Sequence, residues 1–270
     1  MRFTKMQGIG NDYVYINCFE ETVADPKELS KKVSNRHFGI GSDGLILIGP
    51  SEKADCRMRM FNADGSESQM CGNGIRCVGK YVFDHHLVEK KEFDVETEAG
   101  IKHLIITEEN GKAVLITVDM GIPKVFSEVP EPIEISGKNY EFIGISVGNP
   151  HAIYYLNDID ELDLEAIGPN FETHSRFPER TNSEFIEVIN PGYIRMRVWE
   201  RGSGETWACG TGATASAVAS ALSGRTSNEV EVELKGGNLT IHWDRDKTGH
   251  VFMTGPAVEV FTGVFEIKNL

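Results

Sequence analysis

MCGNGIRCVGK (residues 70–80) and ACGTGATASAVAS (208–220) each set a cysteine directly before a glycine-rich stretch that opens a helix. Cys71 and Cys209 stand 138 residues apart (209 − 71), and the same offset aligns much of the chain. CRMRMFN (56–62) falls on IRMRVWE (194–200), Glu67 on Glu205, Gly72 on Gly210, Gly74 on Gly212, and GND (10–12) on GNP (148–150). One offset that needs no gap over such distances marks an internal duplication. It predicts two pseudo-symmetric halves facing each other about a twofold axis, 1–118 plus 256–270 and 119–255.

Strands dominate each half. Residues 56–61 and 194–199 alternate apolar and charged side chains with a period of two. Further strands are expected at 12–17, 45–48, 113–118, 141–147, 152–156, 184–189, 229–234, 239–243 and 257–267. One strong helix follows each cysteine, over 73–87 and 211–223. The second, TGATASAVASALS, has no polar face and therefore must be buried. The fold class that follows is α/β of the α+β kind, each half a curled, mostly antiparallel sheet or barrel around a central helix. The acidic run DIDELDLEAIG (158–168) reads as a solvated helix face.

With 41 acidic and 27 basic residues the formal charge is −14, which disfavours nucleic acid and anionic membranes as partners. The N-terminal MRFTKMQGIGND lacks the apolar core of a secretory signal, and no stretch is long and apolar enough to span a bilayer. A cytoplasmic protein is expected. Five cysteines without a CxxC pair argue against a disulfide framework and against structural zinc, and no metal is expected. Cys18, Cys56 and Cys77 read as core residues. GIGSDG (39–44) fits a dinucleotide fingerprint formally, but the strand-like LILIG follows it where a helix is required.

The first turn of a helix carries unpaired N–H groups and partial positive charge. It binds carboxylates, and it pulls an adjacent thiol pKa from about 8.5 toward neutrality. Two such ends converging on one ligand would give a thiolate on one face of a carbon and a thiol on the other. That arrangement inverts a stereocentre. A positioned acid or base contributes ~10²–10⁴ in rate. An α-proton is so weakly acidic that preorganised N–H donors, roughly 3–4 kcal/mol each, must supply much of the rest. A redox sensor built on a Cys71–Cys209 disulfide is the rival reading, but it leaves the two carboxylate cradles without a purpose.

MQGIGNDYV, FNADGSESQMCGNGIRC, VGNPHA, PERTNSEF, RVWERGSGETWACGTGA and MTGPAVEVFTG resemble the diaminopimelate epimerase family over almost the whole chain. The resemblance implies a cofactor-independent isomerase of lysine and peptidoglycan precursor biosynthesis, acting on an amino-acid substrate as a homodimer. Cys71 and Cys209 resemble its acid/base pair, and Gly72, Asn73, Gly210 and Thr211 its α-carboxylate cradle. Asn11, Asn62, Asn149, Asn182 and Arg201 resemble the side chains that read the far end of the substrate. Glu200 could pair with the α-ammonium and, with His151, bias the thiol pKa values. Gly44 departs from the glutamine that many relatives carry, so a direct contact from that position is not expected. A proline-type racemase or a double-bond isomerase on the same fold is the alternative, and the asparagine cluster with Arg201 argues against it.

Overall fold

The computed structural model describes residues 1–266. Two compact units are present, Met1–Val118 with the segment from Gly255, and Asp119–Thr254. The strand expected at 257–267 runs Val258–Val264 and ends before Phe265 and Glu266; residue 267 lies outside the described residues.

In the first unit hydrogen-bonded neighbours run Val258–Val264, Arg2–Gly8, Asn11–Asn17, Gly44–Gly49, Cys56–Asn62, Glu92–Thr97, Gly100–Glu109 and Lys112–Gly121. In the second they run Glu131–Ile135, Lys138–Ser146, Pro150–Tyr155, Asn182–Asn190, Tyr193–Glu200, Glu229–Leu234, Gly237–Trp243 and Val251–Gly255. In both sheets the third and fifth pairings are parallel and the others antiparallel. The repeat extends to residue register: Tyr13 pairs with Gly44 as His151 pairs with Asn182. Among the described residues neither sheet closes within its own unit, so each half is a curled sheet there and not a barrel.

Four α-helices keep the same offset: α1 Pro26–Ser34, α2 Gly72–Asp84, α3 Leu164–Glu172 and α4 Gly210–Leu222. The helix α2 packs on strands from both ends of its sheet, including Asn11–Asn17, Gly100–Glu109 and Val258–Val264, and α4 packs likewise in its own unit. The sheet therefore wraps its helix. Small side chains let the strands approach α4 closely, and two of its hydroxyls are satisfied within the helix, Thr214 donating to Gly210 O and Ser220 to Ser216 O. Expected strands and helices are present, with α2 ending at Asp84, short of the expected residue 87.

The helices α1 and α3 lie on the other faces of their sheets and were not singled out by the sequence, apart from the acidic run. That run is not a plain solvated face. It forms a 3₁₀ turn, Ile159–Glu161, and the start of α3, with Ile159 and Leu164 fully buried in the outer core. Phe171 sits there 4.9 Å from Tyr154 and 5.0 Å from Phe185, both edge to face. Phe171→Ala should cost about 3–5 kcal/mol, the range for deleting a buried aromatic ring. Denaturant unfolding of the variant measures it.

Candidate active site

Cys71 and Cys209 are the N-caps of α2 and α4, in extended backbone. The N–H of Gly74 donates to Cys71 Sγ at 3.3 Å, and the N–H of Gly212 donates to Cys209 Sγ at the same 3.3 Å. Each sulfur thus occupies the place of a capping oxygen, in line with the first free N–H groups of a buried helix. Both glycines stand close to their neighbours. A Cβ on Gly74 would meet Ile46 Cδ1 at 2.7 Å, and one on Gly212 would meet Glu184 Oε1 at 2.7 Å and Cys209 Sγ at 3.1 Å.

Around Cys71, which is half-buried, the thiol donates to Asn11 Oδ1 at 3.2 Å, and Asn73 Nδ2 approaches the same oxygen at 3.5 Å. The orientation of Asn11 is set behind it: its Nδ2 donates to Asp43 Oδ2 at 2.7 Å. Arg36 then bridges Asp43 and Asp12, and Lys5 pairs with Asp12. Burial pushes the Asp12 carboxyl up, but Arg36 and Lys5 outweigh it and hold its pKa below the ordinary 3.8. A carboxylate depressed in the folded state stabilises above its unfolded pKa, and that stability is lost as the pH falls through the folded value. Asp12→Asn should therefore lower stability at pH 7 and weaken its dependence on pH below about 4; urea melts at pH 7 and pH 3 check this. Asn62 stands apart from this group, its Nδ2 donating to Ser66 Oγ at 2.9 Å.

Cys209 is buried, and its neighbours are ionisable. His151 Nδ1 lies 2.6 Å from Glu184 Oε1 and its Nε2 lies 3.0 Å from Asn149 Oδ1, with His151 and Glu184 both fully buried. Asn149 Nδ2 donates to Thr211 Oγ1 at 3.3 Å, and Thr211 Oγ1 lies 3.5 Å from Cys209 Sγ. The Thr206 hydroxyl donates to Glu200, whose carboxylate also acts electrostatically on Cys209. This environment reverses one expectation. Burial, followed by the charges of Glu200 and Glu184, pushes the Cys209 thiol well above its ordinary pKa, and the hydrogen bonds from Thr211 and Gly212 offset only part of that. A helix start lowers a thiol pKa only where desolvation and neighbouring anions do not exceed it.

Asn182 is buried and committed locally, Nδ2 donating to Pro150 O at 2.9 Å and Oδ1 accepting from the Arg201 N–H at 3.0 Å. The exposed Arg201 guanidinium donates to Glu179 O at 3.0 Å. At Gly44 a Cβ would lie 2.1 Å from Phe61 O and 2.9 Å from the Tyr13 ring, so the site has no room for a side chain. Cys56 and Cys77 are core thiols, raised to about 12 and about 11 by burial, and Cys18 packs at the edge of a core cluster.

Sequence reasoning missed Glu184 and Asp43. Glu184 left a signal, because its repeat partner is Ile46 (184 − 138), an apolar inward position. The ligating atoms of His151, Glu184 and Cys209 lie within 4.8 Å of one another. The 2.6 Å His151–Glu184 separation is a hydrogen bond, shorter than the ~3.3 Å edge between two ligands of one tetrahedral ion.

The chain matches the family model for diaminopimelate epimerase over residues 3–126 and 143–260. The chain belongs to the diaminopimelate epimerase family. It is 56% identical to the diaminopimelate epimerase of Acetivibrio thermocellus, with all of both chains aligned. It is 57% identical to that of Desulfovibrio desulfuricans over 99% of each chain. Members of this family are enzymes, and so is this chain. Among solved structures it is similar in fold to a PhzF-family protein of Bacillus anthracis, with a TM-score of 0.77, 18% identity and 99% of each chain covered. A hydroxyproline epimerase of Agrobacterium vitis is similar at a TM-score of 0.73 and 15% identity, over 97% of this chain and 91% of that one. No helix among the described residues is long and apolar enough to cross a membrane.

Proposed function

We propose that this enzyme interconverts L,L- and meso-2,6-diaminopimelate, in lysine and peptidoglycan precursor biosynthesis, with Cys71 and Cys209 serving opposite faces of one α-carbon. The observation that carries the reading is the duplicated device itself, a thiol capping a buried glycine-rich helix start at both positions. One sulfur, as thiolate, takes the α-proton; the other, as thiol, delivers a proton to the opposite face. The reverse reaction exchanges their roles. The backbone N–H groups at Gly72 and Asn73 and at Gly210 and Thr211 receive the α-carboxylate as charge builds on it.

Asn11, Asn62, Asn149 and Arg201 supply amide and guanidinium groups for a second ammonium and a second carboxylate, and Asn182 holds the Arg201 backbone behind them. Glu200 takes the α-ammonium. That contact would neutralise the anion that contributes most, after burial, to the raised Cys209 pKa. Substrate binding then lowers the thiol pKa at the moment a thiolate is needed, while His151 biases the same group.

Reduced protein incubated with L,L-diaminopimelate and no added cofactor should give the meso isomer. L-Proline and trans-4-hydroxy-L-proline should remain unchanged. Turnover of either, with none of diaminopimelate, would assign a different substrate to the site.

A further inference from the structure

The duplication provides an internal comparison. The scaffold positions of Tyr13, Ile46, Asn62 and Asn73 in the first half are those of His151, Glu184, Glu200 and Thr211 in the second, at the same offset of 138. Only the second set contains a buried carboxylate bonded to an imidazole. Both ring nitrogens of His151 face oxygen atoms, Glu184 Oε1 at 2.6 Å and Asn149 Oδ1 at 3.0 Å. The amide oxygen cannot donate, so Nε2 carries a hydrogen, and one proton is shared between Nδ1 and Oε1. Glu184 Oε2 is buried and has no hydrogen-bond partner among the described residues, so the carboxylate is committed to this imidazole alone.

We propose that Glu184 is a positioning residue for the reaction: by holding His151 at Nδ1 it sets the direction of a hydrogen-bond chain that ends on Cys209. The Nε2–H donates to Asn149 Oδ1. This fixes the amide with Nδ2 toward Thr211, where it donates to Oγ1 at 3.3 Å. The Thr211 hydroxyl proton is then free to donate to Cys209 Sγ, 3.5 Å away, and supports the sulfur as a thiolate. Without Glu184 the ring can rotate or change tautomer. A bare Nε2 would reverse each bond in turn and leave the sulfur facing the Thr211 oxygen lone pairs. Glu184 touches no substrate in this scheme, which rests on the reading of Cys209 as an acid/base group.

The test uses the reduced full-length chain labelled with ¹⁵N-histidine. Wild type should show a strongly deshielded proton correlated with the His151 ring and a protonated Nε2. The deshielded signal should persist in Cys209→Ser and disappear in Glu184→Gln. In the epimerase assay Glu184→Met should lower kcat by roughly 10- to 100-fold, the lower part of what a positioned acid or base contributes, with KM unchanged. Glu184→Gln, which keeps a partner for Nδ1, should recover part of that loss, and Thr211→Val should add little to Glu184→Met. Full kcat in Glu184→Met, a loss carried by KM, or losses that multiply in the double variant would overturn the proposal. If Glu184→Met does not fold, an unprotonated Nε2 in wild type overturns it alone. The ring signals are read without turnover, so failure of the epimerase assignment is distinguishable from failure of the chain.

Discussion

Cys71→Ala and Cys209→Ala should each lower kcat for inversion by ~10²–10⁴ or more, the contribution of one positioned acid or base. Both should fold. In each case the substitution removes a sulfur acceptor from a helix N-cap, a loss of about 0.5–2 kcal/mol for a capping side chain, while the buried α2 and α4 keep their sheet contacts. Circular dichroism and thermal melts check the fold, and chiral analysis of the product checks inversion. Inversion at the wild-type rate in either variant would remove that cysteine from the mechanism. The raised Cys209 thiol adds a further consequence. Glu200→Gln removes the larger of the two anionic influences on Cys209, so in free enzyme its thiolate should form at lower pH, while turnover falls because the α-ammonium loses its partner.

Gly212→Ala should be nearly as damaging, for a steric reason. The new methyl would stand 2.7 Å from Glu184 Oε1 and 3.1 Å from Cys209 Sγ. Glu184 is pinned by His151, so the neighbours cannot yield without breaking the chain behind the thiol. The expected cost is about 1–3 kcal/mol of stability, as for overpacking a core, with a drop in kcat of roughly 100-fold. The repeat supplies the control. At Gly74 the closest atoms are the side-chain ends Ile46 Cδ1 at 2.7 Å and Met58 Cε at 3.3 Å, which rotate away at lower cost. Gly74→Ala should therefore be the milder variant. Equal effects of the two substitutions would show that the polar neighbours of Cys209 are not held as described. Thermal melts and steady-state kinetics on both variants measure it.

Much of this was legible in the sequence because the repeat is ungapped. The offset between the cysteines also relates α1 to α3 and α2 to α4, element for element. The strand at 56–61 was visible from its alternation, and α4 from its small, apolar composition. The helix α1 was not, because PKELSKKVS buries only one side against the sheet, with Leu29 and Val33 as its apolar contacts. The thiols were found from local context, the glycines after each cysteine. Their ionisation was not readable in the same way. It depends on Glu184 and Glu200, which lie 25 and 9 residues before Cys209 (209 − 184 and 209 − 200) and reach it only through strand pairing. A helix-start argument names the local field but omits the anions and the desolvation that tertiary structure brings.

Two different sulfurs should handle the two protons of one inversion. The most direct test is turnover of L,L-diaminopimelate in deuterated buffer, stopped early, with label measured separately in product and in recovered substrate. Deuterium should appear at the α-carbon of the meso product and almost none in the remaining L,L isomer, because the base that removes the proton is not the acid that delivers one. Equal labelling of both pools would mean that a single group serves both faces, and the two-sulfur mechanism would fall.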